Sequence, residues 1–374
     1  FNPENDLALA AGTANYTPAA NVREFHRAGA MLPLWYSKGN SGITILGDRA
    51  NSGWLARKCD EFGLDAAVAD VASGCYELCP WGWSANAIRQ FENAGVSGSC
   101  LPDKAFAERM RQLSHRRSAA WLSRQLAVSV NYRLPEPPVE ATSMAQVHEF
   151  LMRHDGCFVK SPWSGSGRGV VDSTLIPARQ LDRIADGIIR RQESVMLEPR
   201  LDKILDFAML FESSAETGCV RHVGYSAFFN ETANAYGGNR IMTDDRLCEL
   251  LASRVGYEPI EQTVQAIVPL LAELLRESGY NGYFGVDMMV YRSPSGEMLI
   301  CPAVEINLRM TMGVVAWHLG QDVVAPGHEA TLRVRYAPGE PVVDNYVVRA
   351  GRIVGGELNL VPVSSSFRFT LSVD

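Results

Sequence analysis

No stretch of the 374-residue sequence is strongly basic: 35 Lys and Arg stand against 42 Asp and Glu, a formal charge of −7. Nucleic acid and anionic membranes need clustered positive charge, so neither is an expected partner. Any small polyanion must therefore be held by local charge. No apolar run approaches the roughly 18 residues that a membrane-spanning helix needs, and no stretch has a signal-peptide pattern. The eight cysteines form no CxxC pair and no Cys/His zinc spacing; Cys75 and Cys79 are the nearest two. That pattern predicts a reduced, cytoplasmic protein, with Cys157 and Cys301 as buried thiols in apolar runs. Internal repeats and low-complexity tracts are missing too. What remains is an ordinary globular composition, 47% apolar and 21% charged, at a length that predicts two or three domains. The oligomeric state stays open, a homodimer included.

Residues 1 to about 100 alternate short apolar runs with helix-like segments. SGITILGD and AAVADV read as strands, 52–62 and SANAIRQFENAG as helices, which argues for a small parallel α/β unit. The chain opens on FNPENDLALA. A few residues of a first strand are expected upstream, which would make Asn2–Asp6 a loop at that strand's carboxyl end, where α/β sheets bind ligands. Gly47-Asp48-Arg49 and Pro80-Trp81-Gly82-Trp83-Ser84 fall at similar places. Trp81 and Trp83 fit core packing or a substrate wall.

Residues 104–127 are strongly helical in pattern and rich in Arg, and the proline-rich connector YRLPEPPVEATS follows. A helix with Ser143 as N-cap and Gly156 as stop comes next. FVKSPWSGSGRGVV then delivers Lys160 on a strand, a glycine-rich loop, and a returning strand at Val170 and Val171. Residues 177–192 read as a helix, and SVMLEPRL, DFAMLFES and RHVGYSAFFN as strands. ETANAYGGNR reads as a loop, and EQTVQAIVPLLAELLRES as a helix of about five turns. YFGVDMMVYR and EMLICPAVEIN form a hairpin about SPSGE. The last fifty residues read as strands with turns at PGEP and VGGE.

Glycines beside a lysine suggest phosphate, yet a P-loop places its lysine after the glycines and here Lys160 comes first. GSGRGV also fails as a dinucleotide fingerprint, because the spacing is wrong and strand follows it. In the hairpin, Asp287 lies opposite residue 303 or so. Alternation then puts Asp287, Glu305 and Asn307 on one face, provided that no bulge intervenes. Two carboxylates and an amide oxygen suit Mg²⁺, which binds through one or two carboxylates plus substrate phosphates. An amphipathic hairpin with both acids in solvent is the plain alternative. Arg309, two residues on from Asn307, could reach a phosphate oxygen or a developing anion.

Taken in order, these pieces resemble the ATP-grasp superfamily across roughly residues 105–320: a strand lysine, a glycine-rich flap, the acidic hinge Glu198-Pro199-Arg200-Leu201, Asp206, Asp287 and Glu305-x-Asn307-x-Arg309. The α/β segment before them resembles the unit that usually precedes that fold. The resemblance implies an α/β (α+β) chain with a pre-ATP-grasp domain at 1–104, an ATP-grasp N-terminal subdomain with the flap at 105–196, and a C-terminal subdomain with metal site and β-rich tail at 197–374. It implies that Lys160 touches the nucleotide phosphates and adenine edge. Ser164, Gly165, Ser166, Gly167, Arg168 and Gly169 would close over the phosphates, with Arg168 at the tip. Glu198, Pro199 and Leu201 would read adenine, Asp206 would hold the ribose, and Asp287, Glu305 and Asn307 would hold Mg²⁺. Two positions depart from the pattern. The family's first lysine has no direct counterpart, so Arg116 or Arg117 replaces it, with Lys104 about a dozen residues too early. Gly285 stands where several ligases carry an arginine, leaving Arg309 or Arg240 as the anion-stabilising cation.

The activity so implied uses ATP and Mg²⁺ to phosphorylate a carboxylate, which an amine, or less often a thiol, then attacks. A kinase acting on a hydroxyl and a nucleotide-binding module without turnover are the alternatives. The pocket walls would come from the loops at 2–6, 47–49, 80–84 and 230–240; Asp and Glu there suggest an amine-bearing partner, and Arg49 and Arg240 a carboxylate, which together fit an amino acid or small peptide. His222 and His318 are read as structural.

Overall fold

The computed structural model describes residues 1–36, 43–46, 49–68, 77–165, 169–232, 235–363 and 366–374. The chain begins with helices α1 (Asn5–Ala11) and α2 (Ala20–Ala28), then strand β1 (Ile43–Ile45), α3 (Ser52–Phe62), β2 (Ala66–Val68), α4 (Ala85–Asn93), α5 (Lys104–Leu113) and α6 (Arg117–Leu126). It continues through β3 (Val139–Ala141), α7 (Met144–Arg153), β4 (Cys157–Lys160), β5 (Val170–Asp172), α8 (Ala178–Gln192) and β6 (Val195–Pro199). The third stretch holds β7 (Asp202–Ser214), β8 (Cys219–Thr232), β9 (Ala235–Ile241), α9 (Asp244–Val255), α10 (Tyr257–Leu275), β10 (Gly282–Arg292) and β11 (Met298–Asn307). Helix α11 (Met312–His318) and strands β12 (Ala330–Tyr336), β13 (Val347–Arg349), β14 (Arg352–Asn359) and β15 (Phe367–Val373) complete it.

This is a mixed α+β architecture. Strands β1 and β2 pair in parallel, as the alternating pattern predicts. An antiparallel four-stranded sheet, ordered β3-β6-β4-β5, packs α7 and α8 around Val147, Phe150, Val159, Leu181, Ile188 and Leu197. The nine-stranded sheet runs β11-β10-β7-β8-β9-β12-β15-β14-β13. Alternation gives it two apolar faces. Phe207, Met209, Phe211, Phe284, Val286 and Met288 cover α5, α6, α9 and α10. On the other face Ala208 and Leu210 join one core with Met31, Leu34, Trp35, α11, Leu358 and Phe369. The β-rich tail therefore shares its core with the first seventy residues, which fill no separate core.

Several expectations are corrected. Asn2–Asp6 is not all loop: α1 starts at Asn5, so Asp6 stands in its first turn. The helical pattern over 104–127 is realised as two helices, α5 and α6. At the break the Arg116 N–H leaves the helical ladder for the Pro162 carbonyl (3.1 Å), and His115 Nδ1 accepts the Arg117 N–H (2.9 Å). The 235–241 segment is strand, paired with β8 and β12. VGGE lies inside β14, and the preceding reversal is at Ala350 and Gly351, both with positive φ. Residues 144–153 and 178–192 are helical as read, and Ser143 caps α7 by accepting the Gln146 N–H.

Candidate active site

Strands β10 and β11 bring the acids together. Near their turn the register pairs Arg292 with Met298 and Met289 with Cys301; an irregularity then shifts it, so that Asp287 sits opposite Glu305 and Gly285 opposite Asn307. The partner at 303 expected from a regular hairpin is corrected by that bulge. Because the shift is two residues, the shared face survives. Burial, and then the neighbouring Glu305, push the Asp287 carboxyl up to about 7, while a hydrogen bond from Asn307 works the other way. The plain alternative of two solvated acids therefore does not describe Asp287.

Two guanidinium groups flank these acids. Arg116, buried at the α5–α6 break, places Nη1 3.1 Å from Glu305 Oε2. Its Nε donates to the Ser161 carbonyl and its Nη2 to Ser164 Oγ, both at 3.1 Å. Of the three cations weighed for this place, Arg116 is the one the fold delivers: Arg117 turns to Glu140 (2.8 Å), and Lys104 is exposed at the start of α5. Arg309 donates from Nε and Nη2 to Asp6 Oδ1 and Oδ2 (2.8 and 2.7 Å), from Nη2 to Asn307 Oδ1 (3.0 Å) and from Nη1 to the Met310 carbonyl (3.1 Å). Burial alone would weaken its charge, but Asp6, Glu305 and Asp287 more than offset that and raise its pKa. Asp6 carries no distinctive sequence signal, because its partner lies 303 positions away.

The N-terminal residues are fixed against this strand end. Asn2 and Gly82 exchange two hydrogen bonds (2.8 and 3.3 Å), and the Met310 N–H donates to the Trp81 carbonyl (2.8 Å). Gly82 packs so closely on the Asn5 amide that a Cβ would overlap it. Glu4 is buried against His26 Nδ1 (3.1 and 3.2 Å) and Gln90 Nε2 (2.8 Å). Burial would raise its carboxyl, but His26 and Gln90 hold it below its ordinary value. Glu4 and Asp6, two of the acids read as suggesting an amine-bearing partner, are thus already partnered within the chain. Trp81 is core, edge-on to Phe1 at 4.9 Å, and Trp83 packs on Phe91 and Phe106.

The second half of the site lies on the four-stranded sheet. Lys160 on β4 forms an ion pair with Glu198 on the adjacent β6; both are largely buried. Beyond Pro199 the chain crosses to β7, pinned by the Arg200 N–H on the Gly156 carbonyl (3.0 Å). Burial pushes the Cys301 thiol on β11 up to about 12, with Glu198 adding to the rise and Lys160 opposing it. The flap stem is a β-hairpin arm: Lys160 pairs with Val170, and the Ser161 N–H donates to the Gly169 carbonyl (2.8 Å). Gly169 has φ +69, and a Cβ there would press on Ser161. Trp163 anchors the stem, its Nε1 donating to the Arg111 carbonyl (2.8 Å) with the Arg111 guanidinium 4.0 Å above its ring. Ser166, Gly167 and Arg168, like Gly47, Asp48 and Cys75, lie outside the described residues.

The remaining expected residues divide between the two faces of the sheet and the periphery. Asp206 is in register with Met289, on the Asp287 face, and pairs with Lys203 Nζ (2.7 Å). Arg240 does not join the site. It sits in a strand rather than a loop, opposite Ala227, while the preceding residue, Asn239, donates to Ser226 Oγ (2.7 Å). Ser226 is in register with Ala208, and Ala208 with Asp287, so alternation turns exposed Arg240 to the opposite face. Arg49 is exposed on a 3₁₀ turn. His222 lies between Phe211 and Tyr225, and His318 between Tyr283 and Trp317, both structural as read.

No family model matches the sequence, and no curated protein does. Among solved structures, the chain is similar to the biotin carboxylase–β-γ-ATP complex from Campylobacter jejuni, at 11% identity and a TM-score of 0.46, over 99% of this chain and 85% of that one. It is similar to the biotin carboxylase domain dimer of the Hydrogenobacter thermophilus 2-oxoglutarate carboxylase with MgADP, ADP and bicarbonate (11%, TM-score 0.43, 92% and 72%). It is also similar to the N5-carboxyaminoimidazole synthetase from Staphylococcus aureus complexed with ADP (11%, TM-score 0.43, 79% and 82%). At such scores these likenesses bear no weight in assigning a function.

Proposed function

We propose that the chain is an ATP-grasp enzyme that uses Mg²⁺ and ATP to activate a carboxylate and join it to an amine. One observation carries the reading. Asp287 and Glu305 meet directly opposite on neighbouring strands, with Asn307 on the same face, and Arg116 joins Glu305 to Ser161 and Ser164, next along the chain from Lys160 and its buried pair with Glu198.

The donor set fits a magnesium ion. A carboxyl held up to about 7 beside a second carboxylate is a place where positive charge is missing. Hard oxygens on two carboxylates and an amide, with phosphate oxygens completing the shell, match that cation. Among the described residues no group of three or more His, Cys, Asp or Glu side chains offers a competing site. Asp287, Glu305 and Asn307 would hold the ion, which when bound neutralises charge on the phosphates.

The protein's own part is positioning and charge. Lys160 reaches the phosphates from one sheet, and Arg116 from the other side, already bonded to Ser164 at the flap stem. A carboxylate oxygen of the acceptor attacks the γ-phosphorus, the bond to the β–γ bridging oxygen breaks, and ADP leaves. The amine nitrogen then attacks the acyl carbon, the acyl–oxygen bond breaks, phosphate departs and the nitrogen loses a proton. Phosphoryl transfer of this kind asks the protein for alignment and electrostatics, with no covalent nucleophile. The test is a panel of amino acids and small carboxylates, with and without amines, scored for ADP release. ADP only when both are supplied is the expected result; no rise in melting temperature with millimolar Mg-ATP would sink the reading.

A further inference from the structure

We propose that Trp163, at the base of the flap stem, is a positioning residue for Arg116. It holds residues 161–164 against the α5–α6 break, and those residues set the guanidinium. The inference rests on the reading above that Arg116 meets the nucleotide phosphates.

Arg116 takes its place from the stem. Its backbone N–H donates to the Pro162 carbonyl, its Nε to the Ser161 carbonyl and its Nη2 to Ser164 Oγ, each at 3.1 Å. The root and the head of a long, rotamer-rich side chain are thus both tied to one short run of backbone. A guanidinium presents its donors in one rigid plane, so displacing an acceptor turns the whole group. Of the four described residues 161–164, only Trp163 gives Arg116 no hydrogen bond.

Trp163 is seated in a socket instead, and is buried there. Its Nε1 donates to the Arg111 carbonyl (2.8 Å), and its backbone N–H donates to Gln192 Oε1 (3.2 Å). The Arg111 guanidinium lies 4.0 Å from the ring centre, and the His115 ring meets the indole edge-on at 4.6 Å. The fit is specific to an indole. Arg111 stands in the last turn of α5, and the His115 N–H bonds the Gln112 carbonyl (3.2 Å), which leaves the Arg111 carbonyl for an outside donor. An aliphatic side chain offers no such donor and no π face to the guanidinium. The socket is itself fixed. Arg111 Nε donates to the Leu9 carbonyl (2.9 Å) on α1, and Gln192 ends α8, where Glu193 turns the chain with φ +68. Arg111, His115 and Arg116 belong to one short segment. That segment grips the stem twice, through the indole and through the guanidinium, and loosening the first grip lets the second shift.

The experiment compares wild type with Trp163→Leu, which lacks the indole donor and the ring face. Mg-ATP affinity is measured by calorimetry and adenosine affinity by NMR titration. Trp163→Leu should weaken Mg-ATP by at least about tenfold, the size of one charge-assisted hydrogen bond. Adenosine carries no phosphate for Arg116 to meet, so its affinity should stay within about twofold. A residue needed only for folding would weaken both ligands. Trp163→Phe keeps a ring under Arg111 and should fall between wild type and Trp163→Leu. In an Arg116→Gln background Trp163→Leu should add less than about twofold to the ATP loss, since the two act in series. Equal weakening of ATP and adenosine, an unchanged ATP affinity, or the full loss persisting in the Arg116→Gln background overturns the inference. Failure of wild type to bind Mg-ATP at all overturns the proposed function instead. Trp163→Met replaces Trp163→Leu if the latter does not fold.

Discussion

The two charged groups proposed for the site, one on each sheet, are built differently. The Lys160–Glu198 pair comes from adjacent strands of one sheet, and its charges cancel within that register. The other group gathers Asp6, Arg116, Asp287, Glu305, Asn307 and Arg309 from four separated segments. Asp6, Asp287 and Glu305 there meet only Arg116 and Arg309, so negative charge is left over, concentrated at Asp287. A neutralised group can hold a flat neutral ring; an acidic group calls for a cation. The metal–nucleotide proposal would use that difference, the cation at the acidic group and the base at the neutralised one.

The strongest way to break the contrast is to neutralise the acidic group. Asp287→Asn with Glu305→Gln should lower Mg²⁺-dependent ADP release by at least about 10³-fold and remove the thermal shift caused by Mg-ATP. Persistent Mg²⁺ dependence would place the metal elsewhere. Next is the paired group. Lys160→Ala leaves Glu198 charged and partly buried without its partner, at a cost of about 3 kcal/mol in the nucleotide-free protein. The double change Lys160→Met with Glu198→Leu should recover most of that in urea unfolding, which would separate pair neutralisation from packing.

A smaller effect follows from Asp287 alone. Its folded-state pKa of about 7 lies above the ordinary 3.8. The folded state therefore holds the extra proton, and the associated stability is present below about pH 4 and lost as pH rises through 7. In metal-free protein, Asp287→Asn should flatten that decline, gaining on the order of 2 kcal/mol at pH 8 after allowance for solvent at the site. Identical pH profiles for variant and wild type would remove the case for a charge-deficient group. The smallest effect is expected at Arg240, which faces away. Arg240→Ala should leave ATP affinity within about twofold by calorimetry, and a larger loss would return that residue to the site.

Much of this was legible because the signals are local. Lysine before glycines and a returning strand, an acid at a hinge, and Glu-x-Asn two residues from Arg309 are each written within a few neighbouring positions. Alternation then put Asp287 and Glu305 on one face without knowledge of the sheet, and the two-residue bulge left that parity intact. Arg240 failed because a strand was read as a loop, and in a strand one residue decides the face. The acids at the N-terminus were read as free for a substrate because their partners, His26, Gln90 and Arg309, are remote or lie on other elements.

The sequence by itself determined which segments bear the chemistry and the order in which the chain meets them, since alternation, turn residues and helix caps act over a few positions. Tertiary structure alone decided which cation meets Glu305, where the helix breaks to free Arg116, that the tail strands share a core with the first seventy residues, and that Asp6 belongs to the far end of the chain. Those choices depend on which surfaces bury each other, and no local pattern encodes a contact across three hundred residues.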